Sequence, residues 1–533
     1  MSGTQTAGIS RMVRHAMRMM VGTFASRILG LLREVMTAAF FGATRQLDAF
    51  NVAYTMANLL RQLLAEGALS ASFVPVFSRL FAKEGKDAAR SLARQVLAVL
   101  LVLGTVAVLA GIAFSPLLVR LIAPGFQMEE RLLAIGLTRF MFPFLLLVSV
   151  GALAMGALNS MGSFFVPAIA PAASNLAYIL YLVAARGHLT IWDLPVAVLI
   201  GGSCHMLIQW YWAARMDVLL VPEIPDLKNP ELRQTLGLFL PYAAGLSLTQ
   251  VNPLISRMLG SFLEGGTISV MNYADRVIQL PQGLFVIAIS QAVLPLLSRL
   301  DKENVHEFRD FIRDALRFNL FVVLPISVGL LLISSPVVHL LFVRGAFGEW
   351  AWGATAKVLA IYGLGLPGIA CNTVLMRSLY ARNLPKAAVS VTVVTVSLNL
   401  IASVVLMRFF SYMGLAMATS IAFSGAAVFS STRLTANLGC PLNLLDRRWI
   451  AKLGLSCAAM GGALWFATHL FPYDPSAPLH VRALWLLVMT LGSVAIYTAS
   501  TKMLRCSEWS WIKEALSRKK AMKQSEINQK EGE

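Results

Sequence analysis

Four arginines sit where arginine is costly. Arg27 and Arg33 lie in "FASRILGLLREVMTAAF", Arg61 in "NLLRQLLAEGALS" and Arg276 in "MNYADRVIQLPQG". These stretches belong to runs apolar enough to be read as membrane helix. A cation at a helix centre facing lipid costs about 2.5–3.5 kcal/mol. Such side chains must face a wet cavity, pair internally or snorkel to the interface. Arginine's planar fork takes phosphate or carboxylate oxygens two at a time. A cationic, water-filled cavity would therefore suit an anionic substrate. Arg139, Arg257 and Lys357 lie toward span ends, where snorkelling is the better reading.

The acidic residues available to neutralise them are Glu34, Asp48, Glu66 and Asp275, and internal ion pairing is the competing reading. Spacing disfavours pairs within one helix. Glu66 follows Arg61 by five residues, and Asp275 adjoins Arg276. Arg33 and Glu34 are neighbours and diverge by about 100°. Arg27 and Arg33 are six apart and point about 120° from each other, so they form no narrow stripe but could flank a wide cavity. Catalytic signals are missing. "HEFRD" at 306–310 lacks the second histidine of a zinc motif, and no phosphate-binding loop occurs. Cys204 and His205 read as core. Five cysteines with no C-x-x-C spacing suggest neither a disulfide framework nor a metal site.

The elements that must carry these residues are helices in a bilayer. Only 14% of the 533 residues are charged and 57% are hydrophobic, against about a quarter charged in soluble domains. The hydrocarbon core needs about 20 apolar residues per helix. Fourteen candidate spans follow, from about 20–41 to about 482–502, and the fold class is an all-α polytopic membrane protein. With the N-terminus cytoplasmic, 31 Lys and Arg fall on the cytoplasmic side and 7 opposite, which satisfies the positive-inside rule. Both termini are then inside. The net charge of +18 is mostly topology, and no nucleic acid partner is needed to explain it. The basic tail reads as solvated, with anionic membrane lipid as the other reading. No loop is large enough for a soluble catalytic domain.

"VPVFSRL" at 74–80 recurs as "LPLLSRL" at 294–300, an offset of 220 residues with six spans between. Shared orientation suggests a parallel repeat of two six-helix halves, as in some transporters. The expected organisation is 1–220 for the first six spans, 221–440 for the next six, 441–505 for two extra spans, and 506–533 for the tail.

The succession S-R-x-L-G, R-E, F-G-A, D-A-F, N-L-L-R, A-E-G-A and F-V-P-V-F between residues 26 and 77 resembles the MurJ (MviN) family, the lipid II flippases of bacterial peptidoglycan synthesis within the MOP exporter superfamily. "MNYADRVIQLPQG" (271–283), "VLPLLSR" (293–299), "LLFVRGAF" (340–347) and "ALNSMGSFFVPAIAPAASN" (157–175) add to it. The resemblance is close over about 15–435. It implies two lobes around a central cationic cavity, and a groove for the lipid tail made with the last two spans. It assigns functional roles to Arg27, Arg33, Arg61 and Arg276, to Asp48, and to Ser269 in the cavity. Two departures matter. Gln279 stands where some relatives carry glutamate. The stretches 234–263 and 386–408 hold no Asp or Glu for a sodium site, although Asn399 could serve as a neutral ligand.

The expected activity is translocation of lipid II from the cytoplasmic to the periplasmic leaflet by alternating access, in the bacterial inner membrane. The four arginines would grip the diphosphate, and the sugar–peptide head would occupy the cavity. Asp48 and Glu66, with Glu34 and Asp275, would gate or pair with arginines. No cofactor is expected, so the membrane potential or an ion gradient is left as the drive. Partners would be lipid II, membrane lipids and the cell-wall synthesis machinery. Competing readings are an exporter of other polyprenyl-linked saccharides or drugs, an enzyme on polyprenyl phosphates, and a passive scaffold.

Overall fold

The computed structural model describes residues 25–218, 220–247, 250–297, 304–442 and 446–511; side chains at 63–66, 244–247, 292 and 295 also lie outside the description. The described residues form helices joined by turns and loops, with no strand among them. Nine helices among them are long and apolar enough to cross a membrane.

The order begins with α1 (25–41), α2 (Arg45–Leu60), a π-helical stretch (Arg61–Leu69) and α3 (Ser70–Glu84). Next come α4 (Lys86–Ala113), α5 (Ser115–Ile122), α6 (Met128–Met141), α7 (Phe144–Ser160), α8 (Phe165–Ala184) and α9 (Asp193–Arg215). Then follow α10 (Pro230–Ser247), α11 (Val251–Gly260), α12 (Thr267–Pro281), a second π-helical stretch (Gln282–Ile287) and α13 (Ala288–Leu297). The chain continues through α14 (Val305–Phe342), α15 (Glu349–Ala381), α16 (Pro385–Leu438), α17 (Arg447–Leu470) and α18 (Leu479–Met503).

Local chemistry explains several boundaries. Thr44 caps α2 by accepting from the Leu47 amide at 3.2 Å. Gln127 and Glu130 form a reciprocal capping box at the start of α6. A straight helix of 54 residues, the length of α16, would run about 80 Å, far beyond a hydrocarbon core of about 30 Å. It does not run straight. Ser411 has φ +49°, and a methyl group on Gly414 would run into the Leu406 carbonyl. Residues eight apart meet only where the chain doubles back.

Both copies of the repeated string follow a π-helical stretch, Arg61–Leu69 in one case and Gln282–Ile287 in the other. Residues 298–300, the end of the second copy, lie outside the described residues, as does the basic tail from 512. The extra residue in a π turn interrupts the regular ladder, and such turns recur at functional sites.

The chain divides into two compact units. The first takes the described residues up to Arg276 together with Phe342–Ala351, and the second takes the remainder. In the first, α7 and α8 pack on α9, α2 packs on α6, and α10 packs on α3. Helix α10 thus joins the first unit, although the repeat assigns it to the second six-span half. In the second unit, Ile312, Leu316, Val374 and Leu434 form a core from α14, α15 and α16. Phe321 of α14 packs with Trp449, Met460 and Tyr497, seating the α17–α18 pair. The outer faces of that pair expose Phe466, Leu484, Leu487 and Leu491, as lipid-facing helices do.

Candidate functional site

The first unit holds a small cavity lined from α1, α2, α8, α9 and α12. Among the described residues, its charged lining residues are Arg33, Glu34 and Arg276. Arg33 Nη2 lies 2.7 Å from Glu34 Oε1, and Arg276 Nε lies 3.4 Å from the same oxygen. Asn272 Nδ2 reaches Glu34 Oε2 at 3.4 Å. One carboxylate therefore serves two guanidinium groups and an amide.

The Arg33–Glu34 contact corrects the expectation that neighbours on a helix diverge too far to pair. The angle of about 100° describes the Cα–Cβ bonds. Three methylenes on arginine and two on glutamate let the tips converge once surrounding helices close other directions. Here those helices supply aromatic rings. The Arg33 guanidinium carbon lies 5.6 Å from the Tyr54 ring centre and 5.4 Å from that of Tyr178. Both fall within the range of cation–π attraction, worth about 0.5–2 kcal/mol each. Thr37, one turn after Arg33, accepts or donates at 3.1 Å to Tyr178 Oη, which fixes that ring. Side-chain exposure is 16% for Arg33, 8% for Glu34 and 30% for Arg276, so the group is screened from bulk water.

The other proposed residues are distributed differently. Arg27 is half-buried on α1 and does not line this cavity. Arg61 opens the π-helical stretch, donates to Asn58 Oδ1 at 2.9 Å and is also outside the lining. Asp275 is exposed, and Gln279 is half-buried one turn beyond Arg276. The Glu66 side chain lies outside the described residues. Arg139, expected to snorkel, donates to Ser115 Oγ at 2.9 Å.

Asp48 and Ser269 meet at one end of the cavity. Asp48 accepts from the Gly266 amide at 2.7 Å, the Ser269 amide at 2.7 Å and Ser269 Oγ at 2.6 Å. Through these three donors its carboxylate caps the start of α12. Asn51 donates to Ser269 Oγ at 3.0 Å, and Tyr273 donates to the Gly42 carbonyl at 2.7 Å. Both side chains also line the cavity. Just beyond, the Ala346 amide donates to the Ala39 carbonyl at 2.8 Å, and Tyr273 packs on Phe342 and Phe347. This end is sealed by backbone. At Gly345, φ is +59°, and a methyl group would strike the Ala39 carbonyl. At Gly266, φ is +93°, and a methyl group would strike the Ala43 carbonyl.

Sequence reasoning missed Tyr54, Tyr178, Asn51 and Asn272. A signal existed for some of them. Asn272 lies one helical turn before Arg276, and Asn51 one turn before Thr55 in an apolar run. The tyrosines carry no such mark, since Tyr178 is distant in sequence from α1.

Comparison with known proteins identifies the chain's family. The family model described as "Lipid II flippase MurJ" matches residues 37–481. The chain belongs to the MurJ family. A probable lipid II flippase MurJ of Rhizobium meliloti (strain 1021) is 33% identical over 512 residues, covering 93% of this chain and 94% of the relative. The lipid II flippase MurJ of Burkholderia cenocepacia is 31% identical over 407 residues, covering 75% and 79%. A solved lipid II flippase MurJ in an inward closed conformation superposes with TM-score 0.77 at 26% identity, covering 91% of this chain and 98% of that one. An inward-facing MATE family multidrug transporter of the MOP superfamily superposes with TM-score 0.68 at 16% identity, covering 78% and 94%, a likeness of fold alone. MurJ proteins are flippases, so the family's activity is transport and not catalysis.

Proposed function

We propose that this chain flips lipid II from the cytoplasmic to the periplasmic leaflet of the bacterial inner membrane by alternating access. The observation that carries the reading is the convergence of Arg33 and Arg276, from α1 and α12, on one anionic group inside a closed cavity. Two guanidinium groups meeting at one carboxylate suit the oxygens of a polyprenyl diphosphate, which arginine's fork can take two at a time. In this state the cavity is too small for a disaccharide–peptide head. The reading therefore requires it to widen as substrate enters.

Fourteen spans support that cycle. The nine long apolar helices become fourteen on counting α1, the α2–α3 path, the α10–α11 and α12–α13 paths, and the two arms of α16. An even number agrees with both termini on the cytoplasmic side. The end sealed at Gly42, Gly266 and Gly345 is then periplasmic, and substrate enters from the other. Arg27 and Arg61 join the diphosphate grip as the cavity widens, and Asp48 holds the seal until then. Glu66 and Asp275 re-pair with arginines after release, with Gln279 and Ser269 as neutral cavity contacts. The polyprenyl tail rides outside, along α17 and α18. No cofactor takes part, and the membrane potential acts on the cationic empty cavity.

The test is reconstitution of the full chain in vesicles with labelled lipid II. Expected is protein-dependent transfer between leaflets, faster with potential applied and lost in Arg33→Ala and Arg276→Ala. Transfer of another polyprenyl-linked saccharide but not lipid II would assign a different cargo. No transfer of either would overturn the reading.

A further inference from the structure

We infer that Glu34 is the resident anion of the cavity: its carboxylate holds the place of a substrate phosphate and must give way for one to bind. This rests on the lipid II reading and deepens it. Glu34 Oε1 sits where the two guanidinium groups converge, 2.7 Å from Arg33 and 3.4 Å from Arg276, and Oε2 takes the Asn272 amide at 3.4 Å. A phosphate oxygen pair would ask for the same donors.

The supports of the two partners differ. Arg33 is gripped independently of Glu34, with its guanidinium near two rings, Tyr54 from α2 and Tyr178 from α8. It stays in position when its counter-ion leaves. The Glu34 carboxylate is held by the arginines and Asn272, the groups a phosphate would occupy. Charge points the same way. Among the described residues, the charged groups of the lining are the Arg33 and Arg276 guanidinium groups and the Glu34 carboxylate, and Glu34 brings a single negative charge. A diphosphate brings more.

A placeholder makes functional sense. Two guanidinium groups this close, partly screened from water and with no anion between them, would repel. With Glu34 in place the empty state is stable, and substrate pays to displace it, as any ligand pays when its competent state is minor. Transport needs this, because a site must bind well enough to load and weakly enough to release.

The experiment measures binding and turnover of the full chain in phosphatidylethanolamine–phosphatidylglycerol vesicles. The probes are lipid II and undecaprenyl diphosphate, which carries only the diphosphate and tail. Glu34→Gln should bind undecaprenyl diphosphate about tenfold more tightly, while multiple-turnover flipping of lipid II falls. Glu34→Asp, which keeps the charge one methylene further back, should shift both in the same directions by less, and it decides the matter if Glu34→Gln does not fold. A residue needed only for structure would lower binding and turnover together. Unchanged or weaker binding in the folded variants, with wild type binding and flipping lipid II, overturns the placeholder alone. Wild type that binds neither probe overturns the functional reading and the placeholder together.

Discussion

The sealed end and the charged cavity lie in the same unit and share Asn51 and Tyr273 in their walls, yet they are built on opposite principles. The seal is made of hydrogen bonds with fixed directions. Asp48 takes three donors of the first turn of α12, and Ala346 bonds Ala39 backbone to backbone. Its donors are matched, and glycine lets the segments touch. The cavity is made of charges whose partners can be exchanged, with one carboxylate against two guanidinium groups. Directional bonds make a junction that is either made or broken. An uneven set of charges makes a site that is stable empty and still attracts an anion. A gate needs the first property and a binding site the second.

Removing charge from the cavity should have the largest effect. Arg33→Ala should lower lipid II flipping by about 100-fold, and Arg33→Lys, which keeps the charge but loses the fork, by about tenfold. Vesicle assays at matched protein amounts check both, and hydrogen exchange at the Ala346 amide should stay unchanged if the two regions are separable. Next comes the seal. Asp48→Ala strips the acceptor from two amides and a hydroxyl and should cost about 1–3 kcal/mol, read as a lower unfolding midpoint in detergent with faster exchange at Gly266 and Ser269. Gly345→Ala should follow, at about 1 kcal/mol or more for φ > 0, with faster exchange at Ala346. Ser269→Ala should be smallest, at about 1 kcal/mol, because both backbone donors to Asp48 remain. Equal loss of flipping in Ser269→Ala and Arg33→Ala would erase the distinction between gate and site.

Much of this was legible from the chain alone. Arg33 and Arg276 were marked by the cost of a cation in an apolar run, and Ser269 and Asp48 by motif. Glu34 was expected to gate or to pair with an arginine, and it pairs with its own neighbour because angular spacing describes where side chains leave the helix and not where long ones end. Hydropathy separated 386–407 from 412–434, and the chain breaks between them at Ser411, where φ is +49°. Tyr54 and Tyr178 could not be found, because a tyrosine in a membrane helix is ordinary until the guanidinium it faces is known.

Hydropathy and charge bias are one-dimensional quantities, and the sequence by itself determined what depends on them: a helical membrane protein, its likeness to MurJ, and arginines that had to leave the lipid. Which anion each arginine meets depends on approach between α1, α2, α8 and α12; Glu34 and Asn272, which meet here, are 238 residues apart in sequence. Only the tertiary structure decided that Glu34 sits between Arg33 and Arg276 while Asp48 turns to the seal. The physical reason is that short-range contacts of exchangeable charges are settled by packing, and packing is not written in the spacing of any one helix.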